Sequence, residues 1–68
     1  MFVHDKLKEL REQNAKTHTD VLYELDKVGL RISRPTLIKW EHGVTSPTAK
    51  DLDLLAQYWG KSPKFFYK

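Results

Sequence analysis

Residues 33 to 43 read Ser33-Arg34-Pro35-Thr36-Leu37-Ile38-Lys39-Trp40-Glu41-His42-Gly43. The stretch opens and closes with helix punctuation. A serine hydroxyl at position 33 can accept a free amide of a first turn. Pro35 falls where a missing amide costs little, and Gly43 supplies the left-handed residue that stops a helix. A short helix is therefore predicted over about 34–42. Leu37 and Trp40 stand three apart and can face a core together. Arg34, Pro35, Ile38, Lys39 and His42 are left on the opposite and flanking surface. A capped helix with a basic, partly apolar outer face suits the major groove of DNA, where an arginine forks onto a guanine and an aliphatic meets a thymine methyl. Two readings of Ile38 stay open: it belongs to that outer face, or it completes the core beside Leu37.

Further helices are read outward from this one. A first runs from about Asp5 to Asn14, with Val3, Leu7 and Leu10 at helical spacing. A second is expected over about 17–28, with Thr17 as cap, Asp20 at the capping-box position and a stripe of Val21, Leu22, Leu25 and Val28. Aspartate is shorter than the usual glutamate there, so the box is expected to be imperfect, and Gly29 ends the helix. A fourth starts near Thr48 after Pro47, buries Leu52, Leu55, Ala56 and Trp59, and stops at Gly60. Ser62-Pro63 opens a fifth, holding Phe65, Phe66 and Tyr67. No segment alternates with period two, so no sheet is predicted. The expected fold is all-α, one domain over 1–68, a compact bundle of four to five short helices with both tryptophans substantially buried.

The chain has 68 residues, and at that length folding buries only about 60% of the unfolded surface. Such a core fills a bundle but leaves no room for a cofactor cavity of roughly 300 Å³ or more. There is no cysteine, hence no disulfide and no thiolate site. The first residues, Met1-Phe2-Val3-His4-Asp5-Lys6, become charged at once, so no secretory signal is expected. No apolar run approaches the roughly 18 residues of a membrane span. The net charge is +3, and its distribution is uneven. Lys27, Arg31, Arg34, Lys39 and Lys50 face Glu41 alone between residues 27 and 50, whereas residues 17 to 26 hold Asp20, Glu24 and Asp26 without a base. That asymmetry suits a face that meets phosphate. Random clumping on a solvated surface is the other reading.

The block Thr36-Leu37-Ile38-Lys39-Trp40-Glu41-His42-Gly43 resembles the recognition segment of the Cro/repressor-type, or XRE-like, helix-turn-helix family. Ser33 stands before it, Pro47 and Leu55-Ala56 follow, and the family's opening Leu-x-x-Leu-Arg appears as Leu7-Lys8-Glu9-Leu10-Arg11. The resemblance spans about Leu7 to Phe66. It implies a lambda-repressor-like fold and a transcriptional regulator, a repressor, that binds a double-stranded DNA operator from the cytoplasm of a bacterium or as a phage-encoded protein. By the same resemblance Arg11 and Glu41 form an ion pair between the first and third helices; two independent surface charges are the alternative. Base contacts are expected from Arg34, Pro35, Ile38, Lys39 and His18, the last standing where the family usually has glutamine. Phosphate contacts are expected from Thr17, Thr36, His42, Thr45, Ser46 and Lys50. The departure from the family lies at Asp26 to Ile32, roughly five residues longer than the usual turn of about three to four. The second helix is expected to gain a turn there, with Leu30 and Ile32 sealing the junction and Lys27 or Arg31 joining the DNA-facing surface.

Other functions find less support. His4, His18 and His42 lie far apart in the chain and form no His-x-x-x-His pair, so no metal and no other cofactor is expected. Ser33, Ser46 and Ser62 sit at or near helix starts, which explains them better than a nucleophilic triad does, and no enzyme or small-molecule substrate is expected. The alternative from another class is a protein-interaction module on the same fold, such as a small antitoxin or adaptor, using an aromatic patch of Tyr58, Phe65 and Tyr67 beside Leu54. A homodimer on DNA stays open at this point.

Overall fold

The structure, a computed structural model, describes all residues 1–68. Four α-helices follow in order: α1 (His4–Gln13), α2 (His18–Lys27), α3 (Arg34–Glu41) and α4 (Ala49–Trp59). The segment Pro63–Phe66 forms a single 3₁₀ turn where a fifth helix was expected. Its four residues end at Tyr67, which turns extended and forms one antiparallel bridge with Phe2. The fold is all-α, with no strand beyond that bridge.

Hydroxyl caps fix where three helices begin. Ser33 accepts from the Thr36 amide and Thr48 from the Asp51 amide. At α2 the box closes in both directions despite the short aspartate: the Asp20 amide donates to Thr17 Oγ1 at 3.1 Å, and the Thr17 amide donates to Asp20 Oδ2 at 3.0 Å. The Thr17 amide, and after it the Thr17 hydroxyl, hold the Asp20 carboxyl below its ordinary range. At the other ends, Gly29 (φ +96°) and Gly43 (φ +75°) take the left-handed conformation that lets the next amide reach back. Leu30 donates to the Leu25 carbonyl and Val44 to the Lys39 carbonyl, both at 3.0 Å, satisfying groups that would otherwise be orphaned.

The core draws on every element: Leu7 and Leu10 of α1, Val21 and Leu25 of α2, Leu37 and Trp40 of α3, Leu52, Leu55 and Ala56 of α4, then Phe66. Burying a leucine or phenylalanine this fully contributes about 1.5–3 kcal/mol. Trp40 is buried and Trp59 packs partly buried against the same core, with its indole N–H enclosed and unbonded. The long connection between α2 and α3 is built by six residues, Val28 to Ser33. Leu30 drops into the core and Ile32 packs half-buried against it, so the junction is sealed. Helix α2 itself ends at Lys27, one residue before the expected limit, and the extended connection takes up much of the added length.

Candidate nucleic-acid interface

Glu41 is the last residue of α3, and it is 97% buried. An isolated carboxylate there would be costly, and its partners converge from two other helices. Arg11 of α1 grips it with Nε on Oε2 at 2.8 Å and a terminal nitrogen on Oε1 at 3.1 Å. The hydrogen bond to Glu41 raises the Arg11 pKa further, so the guanidinium stays charged. Its remaining terminal nitrogen donates to the Lys16 carbonyl at 3.1 Å, tying in the α1–α2 turn. His18, the first residue of α2, places Nε2 3.1 Å from Glu41 Oε1. His4 at the start of α1 sets Nδ1 3.0 Å from the Glu41 main-chain carbonyl. One carboxylate thus joins α1, α2 and α3.

With that end anchored and Leu37 and Trp40 inward, α3 turns its other side outward. Arg34, Pro35, Lys39 and His42 are exposed. Ile38 is half-buried but does not pack against the core cluster, so it belongs to the outer face. Arg34 donates to Thr19 Oγ1 at 3.1 Å, which brings the first turns of α2 and α3 together. Thr36 is half-buried and shares a 2.9 Å hydroxyl bond with Ser33. Thr17 is exposed but its hydroxyl serves the capping box. Thr45, Ser46 and Lys50 follow in the loop and first turn of α4, all exposed. Lys39, His42, Thr45, Ser46 and Lys50 make no side-chain hydrogen bond or ion pair within the domain, leaving their donors free for a ligand.

Three placements were not anticipated. Thr19 enters through its bond to Arg34; the signal was its position between the cap and the box, which turns it outward. His4 engages α3, and no sequence pattern pointed to that. His18 is tied to Glu41 and is not a free donor at Nε2. Lys27 and Arg31, expected as additions to this face, have local partners: Lys27 lies over the Tyr23 ring at 4.4 Å and Arg31 donates to Asp26 at 2.8 Å. Two residues of the expected aromatic patch are engaged, while Tyr67 is exposed. Tyr58 donates to Glu24, and Phe65 sits beneath both Lys6 and Lys61.

No helix is long and apolar enough to cross a membrane. The family model described as helix-turn-helix matches residues 7–66, nearly the whole chain, whereas no curated protein and no solved structure matched it. Capped helices α2 and α3, a buried Glu41 anchoring the second of them and an outward basic face agree with that match: the chain belongs to the XRE-like helix-turn-helix family, a family of DNA-binding, regulator-type domains.

Proposed function

We propose that this protein binds double-stranded DNA sequence-specifically as a transcriptional repressor, reading the major groove with the α3 surface from Arg34 to His42. One observation carries the reading. The eight-residue helix α3 buries Leu37, Trp40 and Glu41 and turns outward Arg34, Pro35, Lys39 and His42, with Ile38 outside the core. That is the chemistry of a groove-reading helix: a forked donor near its N-terminus, an apolar contact and cations that meet phosphate. Arg34, Pro35, Ile38, Lys39 and His18 read bases. Thr17, Thr36, His42, Thr45, Ser46 and Lys50 meet the backbone, and Arg11 with Glu41 sets the angle of α3. The protein works in the cytoplasm of a bacterium or as a phage product and is not an enzyme.

Selection of bound duplexes from a random pool tests this. A recovered motif, bound less tightly as salt rises, is the expected result, and two half-sites within it would identify a homodimer on DNA. A protein that retains no duplex at any salt concentration overturns it.

A further inference from the structure

Glu41 imposes a chemical state on His18. Both oxygens of the buried carboxylate accept hydrogen bonds from the Arg11 guanidinium, so it acts as an acceptor. The His18 nitrogen 3.1 Å from it must therefore carry a proton. In a neutral imidazole the other nitrogen is then an acceptor. That nitrogen, Nδ1, has no partner in the protein. It is not buried either, because the one enclosed side-chain polar atom without a partner is Trp59 Nε1. His18 opens α2 and adjoins Thr19, the residue that receives Arg34, so the residue itself stands where the first turns of α2 and α3 meet.

We propose that His18 is a specificity-determining residue whose Nδ1, made an acceptor by Glu41, recognises an exocyclic amino group in the major groove. The inference rests on the DNA-binding reading above. Adenine N6 and cytosine N4 carry that donor, whereas guanine and thymine present only acceptors at the corresponding edge. Protonation of His18 turns Nδ1 into a donor. Acidification then exchanges the amino-group preference for a contact with phosphate or a guanine edge. The titratable and charged groups joined to His18 are Glu41 of α3 and, through it, Arg11 and His4 of α1. The polar contact from α4 to α2, made by Tyr58, goes to Glu24.

The test has two readouts. Nitrogen-15 NMR of the free protein near about pH 8, above the usual imidazole range, reports which ring nitrogen carries the proton. The expected form is Nε2–H, and a proton on Nδ1 overturns the proposal. Duplex selection is run at about pH 8 and about pH 5.5, on either side of the usual imidazole range. At the higher pH one position should favour adenine or cytosine, and the selected base says which. At the lower pH that preference should fall about tenfold while the salt dependence steepens by about 0.9 in log–log slope. His18→Ala should lose the preference at both pH values. His18→Gln keeps an amide donor for Glu41 and an oxygen acceptor for the base, so it should retain the preference and lose its pH response; it also serves where the alanine variant fails to fold. Duplex binding with a preference indifferent to His18 and to pH overturns this inference alone. Absence of any duplex binding overturns the DNA-binding reading and this inference with it.

Discussion

Arg11 and Glu41 form a two-point ion pair across 30 residues of sequence, with side chains only 13% and 2% exposed. A pair so enclosed gains little net stability over an apolar substitute, because both charges lose their water. Its value lies in orientation. The planar guanidinium fixes two oxygens at once, and with them the rotation of α3 about its own axis.

Removing one partner should therefore cost more than the pair contributes. Glu41→Ala leaves the Arg11 guanidinium and His18 without their acceptor and should lower unfolding free energy by about 3 kcal/mol in urea titration. Glu41→Gln keeps an acceptor and should lose less than half of that. The selected DNA motif should stay the same in any variant that folds, except at the position read by His18, whose ring Glu41→Ala no longer orients. A change at other positions would place Glu41 at the base edges.

Glu24 of α2 receives bonds from Tyr58 of α4 and from Lys16, at 3.0 Å for the lysine. The Tyr58 bond, then Lys16, hold its carboxyl below the ordinary glutamate range. A carboxyl lowered by folding adds stability above its unfolded pKa, and that stability is lost as pH falls through the lower folded value. Stability should thus decline from about pH 5 downward. Burial and the same carboxylate raise the Tyr58 pKa, so its hydroxyl stays a donor across that range. Tyr58→Phe should cost about 1 kcal/mol near neutral pH and flatten the acid decline, read by urea titration at a series of pH values.

Much of this architecture was legible in the sequence because it depends on local rules. Ser33, Thr17 and Thr48 announce three helix starts by hydroxyl chemistry, and Leu37 with Trp40 gives the inward phase of α3. What escaped depends on tertiary approach. Trp59 follows the α4 stripe and packs against the core, yet periodicity cannot say that its indole N–H ends enclosed without a partner. The Pro63–Phe66 segment had a cap and a proline, but the Phe2–Tyr67 bridge and the bond from Val3 N–H to the Phe66 carbonyl draw the chain straight. The ligation of Glu41 by His4 and His18 joins residues 37 and 23 positions apart, and no spacing rule reaches that far.

Gly43 is held by two constraints at once. Its φ of +75° suits glycine, and a Cβ there would lie 2.7 Å from His4 Cδ2. Gly29 has a positive φ but no atom within 4 Å of a Cβ. Gly29→Ala should cost about 1 kcal/mol of backbone strain, and Gly43→Ala about 2 kcal/mol or more, measured by thermal or urea unfolding. Adding His4→Ala to Gly43→Ala should recover the steric share. Equal losses at the two glycines would mean that the His4 contact carries no weight.

The separation of base reading from phosphate anchoring can be measured on two cations. Arg34 opens α3, is exposed, and is steadied by Thr19. Holding a forked donor in one place limits the bases it can meet, which favours discrimination over general attraction. Arg34→Ala should therefore cost about 1–3 kcal/mol on the selected duplex and much less on a scrambled one. Thr19→Ala frees the guanidinium without removing it and should reduce discrimination while leaving affinity for the scrambled duplex unchanged. Lys50 is exposed in the first turn of α4 and has no partner to orient it. Lys50→Ala should weaken both duplexes alike and reduce the salt slope by about one. Equal losses on the two duplexes for Arg34→Ala would make Arg34 an electrostatic anchor, and would move base reading to Pro35, Ile38, Lys39 and His18.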